Sequence, residues 1–410
     1  MKKMRNVLAL AIGVGAVPLL SASQAASAGV AYTVTDLGGL GGSITEAFGI
    51  NNQGEITGDS TTAINTTNGT GGYGQSFLWK PSVPNGTTGT MYSIDPSYSS
   101  ASYISDGLAI NGQGQVAGVE GSSSGYQTFL WTPSQKNGVP GSLANLNIPK
   151  DAGTWIYGMN SSGQVVGESG SVTPSEAFLW TPDAPNGTTG STQQLGFLPG
   201  TTNSWAGDIN DNGEVVGSSG NMAFIWTPSG GMQALATPAG DGSAADGVNS
   251  AGEIAGYITT SSTVGGATEL NYRAAIWTAA GIQILPTLGG QNSAAAAINA
   301  AGEVVGWSQA SDGSYDVFAY QNGVMTDLNV LTGYQFGSVY GINDSGQIIT
   351  DYTDASNHRT AYLLTPVVTP EPGSASIMLL LTLGSVILLK KRRLRHVLEP
   401  EISAQPGRSN

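Results

Sequence analysis

Along this chain, short apolar runs are interrupted at intervals by a polar Asn-x-x-Gly step. The fullest copy is Ile209-Asn210-Asp211-Asn212-Gly213-Glu214-Val215-Val216-Gly217. Six further copies place Asn at Asn51, Asn111, Asn160, Asn249, Asn299 and Asn343, spaced 39 to 60 residues apart. All seven read apolar-Asn-x-x-Gly-[Glu/Gln]-[Val/Ile]. Six close on a further glycine (Gly58, Gly118, Gly167, Gly217, Gly256, Gly306), and the seventh has Thr350 there. Asn can bond back to its own backbone, and a glycine three residues later enters the left-handed region without a Cβ clash. Apolar residues on both sides make the step the turn of a short antiparallel hairpin.

After each hairpin comes an apolar triplet: Phe77-Leu78-Trp79, Phe129-Leu130-Trp131, Phe178-Leu179-Trp180, Phe224-Ile225-Trp226, Ala275-Ile276-Trp277, Phe318-Ala319-Tyr320 and Tyr362-Leu363-Leu364. Both faces of such a strand are apolar, so sheets must cover it on both sides. Pro follows five of the triplets (Pro81, Pro133, Pro182, Pro228, Pro366), marking strand ends. A fourth, alternating segment ends most repeats, several with Leu-x-x-Leu spacing (Leu195/Leu198, Leu285/Leu288, Leu328/Leu331).

Four short strands per repeat match one propeller blade. The last repeat stops at Pro366 without its fourth strand. Tyr32-Thr33-Val34-Thr35-Asp36-Leu37, near the other end, has the fourth-strand pattern. The expected fold is therefore all-β: a seven-bladed β-propeller over residues 29–368, closed by the N-terminal strand pairing near Tyr362–Leu364. A linear β-solenoid is the competing architecture, since it needs no displaced strand.

Composition agrees with short strands and tight turns: 60 Gly, 19 Pro and 10% charged residues. Cys is absent, which removes disulfides, thiol nucleophiles and Cys-ligated zinc. Between Gly29 and Pro370 stand 25 acidic and five basic residues, a balance of −20 that disfavours nucleic acid as a partner.

The two ends read as addresses. Residues 1–28 form a basic start, an apolar stretch from Val7 to Leu20 and Ala26-Ser27-Ala28, a secretory signal peptide cut by signal peptidase after Ala28. At the other end, residues 369–373 carry Pro370-Glu371-Pro372. An apolar run follows over 374–389, then a basic cytoplasmic tail over 390–410. As a helix that run reaches about 24 Å, a short transmembrane helix in the inner membrane.

The Pro370-Glu371-Pro372 triplet, single span and Arg/Lys cluster resemble the PEP-CTERM sorting signal of Gram-negative bacteria. The resemblance implies an exosortase as partner, with Pro370, Glu371 and Pro372 as the recognition triplet, and a link to exopolysaccharide or biofilm. The Asn-x-x-Gly hairpins followed by strands such as Ala177-Phe178-Leu179-Trp180 resemble the HAF repeat of bacterial extracellular proteins, which implies export and names no activity. The tail from Val397 to Asn410 runs longer than the sorting signal needs.

No catalytic constellation stands out. His358, the only histidine in the repeat region, falls in a polar loop. The Glu or Gln after each turn glycine (Glu55, Gln115, Gln164, Glu214, Glu253, Glu303, Gln347) recurs in every repeat, as a structural residue does and a catalytic one does not. Asp208, Asn210 and Asn212 fit the first half of a calcium loop, but Ser219 stands where the closing Glu belongs, so turn chemistry is the preferred reading; no cofactor or metal is expected, with calcium at these residues as the alternative. The expected protein is non-catalytic, exported, membrane-anchored before processing and then at the cell surface or in the matrix, with exopolysaccharide as its expected ligand. A polysaccharide-active enzyme with a carboxylate pair and a protein-docking scaffold are the alternatives.

Overall fold

The computed structural model describes residues 30–63, 74–94, 104–122, 125–148, 153–170, 174–264 and 267–367. The expected signal peptide and its Ala28 cleavage site lie outside them. So do the Pro370-Glu371-Pro372 motif, the 374–389 helix and the basic tail. Among the described residues no helix is long and apolar enough to cross a membrane.

The chain from Ala31 to Val367 is an all-β, propeller-like body. Its seven hairpins each start a four-stranded antiparallel array, as the second does: Ile104–Ile110, Val116–Ser122, Gly125–Pro133 and Gly141–Asn145. The last array takes its fourth strand from Ala31–Asp36, which pairs antiparallel with Arg359–Val367; Thr35 faces Leu363 and Asp36 faces Tyr362. Hydrogen-bonded sheets number six among the described residues. The seventh and first arrays are fused by one parallel bridge, Ile44 to Arg359, into an eight-stranded sheet. The bridge falls in the irregular stretch between Gly41 and Thr45 of the first strand, Gly41–Ile50.

Each first strand packs beside the next one, and Ser338–Ile342 packs beside Gly41–Ile50. The triplets fill the spaces between arrays: Phe77, Leu78, Phe129, Leu130, Phe178 and Phe224 are 0 to 2% exposed. Core clusters accordingly bridge neighbouring arrays, as where Phe178 and Trp180 pack with Ala109, Leu130 and Leu146. The Leu-x-x-Leu spacing has a backbone cause. The N–H groups of Leu37, Leu195 and Leu285 bond carbonyls of a third strand, and those of Leu40, Leu198 and Leu288 bond Ser60, Ser219 and Ser308 hydroxyls. The sixth repeat departs from it. Leu328–Thr332 is a helical turn, capped by the Asp327 carboxylate and by Gly333 at φ +76°, so Leu331 faces solvent.

Candidate functional site

The Asn turns come first, because they fix where everything else points. In each, the Asn side-chain oxygen accepts two backbone N–H bonds, as Asn299 does from Ala301 and Glu303 at 3.0 Å. The turn glycines sit at φ +73° to +83°. The amide nitrogen then bonds the Glu or Gln of its own turn and the next array. Asn51 donates to Asn111 O, Asn160 to Asn210 O, Asn210 to Asn249 O, Asn249 to Asn299 O, Asn299 to Asn343 O and Asn343 back to Asn51 O, all at 3.0 to 3.1 Å. Asn111 donates instead to Asn186 Oδ1 at 2.9 Å. These seven Asn residues are 3 to 5% exposed, so the bonds form away from competing water.

The closing glycine has a separate role. Each first strand carries a bulge, and a Cβ at Gly58, Gly118, Gly167, Gly217, Gly256 or Gly306 would lie 1.8 to 2.2 Å from a carbonyl oxygen of that strand. Where Thr350 replaces glycine, its hydroxyl donates to the corresponding carbonyl, that of Ser338.

The calcium-loop residues do not share one focus. Asp208 accepts from Ile209 N at 2.8 Å and from Val248 N of the next array at 3.0 Å. Burial raises its pKa to about 6, against those two bonds. Asn210 closes its turn, and Asn212 donates to Ser250 O at 3.3 Å. Among the described residues no group of three or more His, Asp or Glu could hold a metal ion. His358 is exposed and lies 3.4 Å from Asp354.

The chemistry collects at the opposite end of the first strands. One layer of cross-strand pairs, just beyond the closing glycine, reads Glu46–Asp59, Asp106–Val119, Trp155–Glu168, Trp205–Ser218, Ala244–Tyr257, Ala294–Trp307 and Ser338–Asp351. Because paired residues face the same side of a sheet, carboxylates gather on the seventh, first, second and third arrays and aromatics on the third to sixth, the two kinds meeting at Trp155–Glu168. Tyr126 lies against Trp155, with ring centres 6.2 Å apart, and Tyr157 against Trp205 at 5.9 Å. Tyr257, Tyr272, Trp307 and Tyr315 form a run with centres 5.4 to 6.4 Å apart. Trp155, Tyr157 and Tyr315 are 38, 44 and 53% exposed, an unusual outlay of large rings to solvent. Tyr157 also donates to Glu168 at 3.0 Å.

On the acidic side, Arg359 holds Glu46 directly and lies 3.5 Å from Asp351, which accepts from the Tyr340 hydroxyl at 3.3 Å. Asp59 is 9% exposed. Burial, then the nearby Asp106 and Glu46 charges, push its pKa up to about 8, with Arg359 opposing. Burial and Glu46 raise Asp106 to about 6. Neighbouring carboxylates in poor solvent thus differ in proton occupancy near neutral pH. A cleft of about 670 Å³ opens beside them, lined by Gly39, Ile44, Thr45, His358 and Arg359. Sequence reasoning missed this layer. Its signal was the residue after the closing glycine, which varies among Asp59, Val119, Glu168, Ser218, Tyr257 and Trp307 while its neighbours repeat.

No protein-family model matches the chain, and no curated protein matches it. Among solved structures, a mutant of AofleA from Arthrobotrys oligospora is similar with a TM-score of 0.34 at 11% identity, over 83% of this chain and 91% of that one.

Proposed function

We propose that the chain is an exported, seven-bladed β-propeller of the cell surface or extracellular matrix that binds polysaccharide without turning it over. The seven-blade count treats the eight-stranded sheet as two blades joined by one bridge. The strand Ala31–Asp36 on Arg359–Val367 and the Asn343-to-Asn51 bond support that closure. Export by the 1–28 signal, sorting at Pro370, Glu371 and Pro372 by an exosortase, and passage through the inner membrane rest on the end sequences.

The observation that carries the binding reading is the layer of part-exposed aromatics continuous with carboxylates. Flat apolar faces stack on sugar rings, and carboxylates accept hydroxyl protons. Affinity electrophoresis in the producing strain's own exopolysaccharide tests it. Retardation that falls at least about tenfold in Trp155→Ala and Trp307→Ala supports the reading. Equal mobility of all three proteins, with or without polysaccharide, sinks it.

A second reading has its own observation. Asp59, its pKa pushed up by burial and by the neighbouring Asp106 and Glu46 charges, belongs to the kind of unequal carboxyl set that glycoside hydrolysis uses. Release of reducing ends from the same polysaccharide, lost in Asp59→Asn, would move the protein from binder to enzyme.

A further inference from the structure

Trp155 and Glu168 are a direct cross-strand pair of the third array, and they mark where the aromatic part of the layer meets the acidic part. The strand Trp155–Met159 exposes Trp155 and Tyr157 on either side of buried Ile156, so both rings stand on one face. Glu168 shares that face by its pairing, and the Tyr157 hydroxyl donates to it at 3.0 Å, which ties the carboxylate to the rings. The second array closes the other side of the seam. Asp106 pairs with Val119 and Tyr126 with Gly121; Val119 and Gly121 stand two apart on one strand, so Asp106 and Tyr126 share a face. Tyr126 reaches Trp155 across the seam, with ring centres 6.2 Å apart. Asp106 and Glu168 are half-buried, and the three rings are 36 to 44% exposed, so both kinds of group meet solvent together.

The charge around this seam selects among sugar polymers. Among the described basic residues, Lys80 lies 3.6 Å from Glu55 at the Asn-turn end, and Lys136 sits in the loop that bonds the Asn111 turn. Arg273 donates to Leu285 O at 3.0 Å, and Arg359 is held by Glu46 and Asp351. A polyanionic glycan therefore meets no unpaired cation at the layer, and the 25 acidic residues against five basic ones repel it. A neutral glycan would leave Glu168 and Asp106 without a counter-charge. A cationic one satisfies both halves of the seam, since an ammonium bonds carboxylates and is drawn to the negative face of an aromatic ring.

We propose that the polysaccharide recognised by this layer is an amino-sugar polymer with free amines, one sugar ring lying on Trp155 and its ammonium donating to Glu168. This rests on the polysaccharide-binding reading and names the class of polymer within it.

The test titrates the full chain by calorimetry, in slightly acidic buffer, with hexamers of glucosamine and of N-acetylglucosamine. The two share every ring and differ in the charged amine. The glucosamine hexamer should bind about tenfold tighter, the effect of one charge-assisted hydrogen bond, and added salt should narrow the gap. Glu168→Gln keeps an acceptor for Tyr157 and removes only the charge, so it should narrow the gap at least about threefold. Trp155→Ala should weaken both hexamers. Asp183→Asn makes the same charge change in the exposed loop at the Asn-turn end and should alter nothing. Equal affinities for the two hexamers overturn the proposal, and if Trp155→Ala still weakens both, the binding reading survives it. An advantage for glucosamine that persists in Glu168→Gln, or that Asp183→Asn removes equally, also overturns it, because net charge and not the seam would then be the cause. So does binding of neither hexamer while the strain's own polysaccharide still retards the protein.

Discussion

Replacing Asp59 by Asn gives the sharpest test of the acidic end of the layer. A carboxyl moved from 3.8 to about 8 keeps its proton in the folded state across a range where the unfolded chain has lost it. Between those two values the native state binds more protons than the unfolded state, so stability falls as pH rises through the window. One pH unit corresponds to about 1.36 kcal/mol, which puts the full penalty at about 6 kcal/mol once Asp59 ionises in the folded protein. Asn has nearly the shape of the protonated acid and no charge to bury. The gain from Asp59→Asn should therefore be close to zero near about pH 4, grow steadily, and level off above about pH 8. Urea unfolding across that range measures it. A gain of constant size at every pH, or a loss at high pH, would refute burial and like-charge crowding as the cause.

Other consequences are equally direct. Asp106→Asn removes the like charge that raises Asp59 most, so the pH at which Asp59 ionises should fall, read from the same unfolding series or from carboxyl chemical shifts. Asn299→Ala leaves the Asn343 carbonyl and the Ala301 and Glu303 N–H groups without their partner, for a loss of about 3 kcal/mol in denaturant unfolding. The two glycine classes should separate. Gly306→Ala meets Ala294 O at 2.1 Å and should prevent proper folding of its array, whereas Gly213→Ala meets only ordinary contacts at 3.8 and 3.9 Å and should cost only about 1–2 kcal/mol for its left-handed backbone. Deleting residues 31–36 bares the edge of Arg359–Val367, so a lower melting temperature and self-association in light scattering are expected.

Much of the fold was legible because it follows from local rules repeated in register. A turn that needs Asn at one position and glycine three later announces itself seven times over, and apolar triplets mark the strands covered on both faces. Even the displaced strand could be read, since Leu37 and Leu40 carry the spacing of Leu285 and Leu288. The helical turn at Leu328–Thr332 escaped, because Leu328 and Leu331 have the same spacing and only the Asp327 cap and Gly333 select helix. The role of the closing glycines also lay out of view: it depends on a carbonyl that a bulge pushes across from another strand.

The sequence by itself determined the repeat, the turns and the alternation, because each depends on a few neighbouring residues and on backbone geometry. Tertiary structure decided the site. Glu46, Asp59, Asp106, Asp351 and Arg359 are up to 313 residues apart along the chain. Side-by-side packing of successive first strands brings them to one end. There, loss of solvent makes ordinary carboxyls unequal, and no local pattern encodes a loss of solvent.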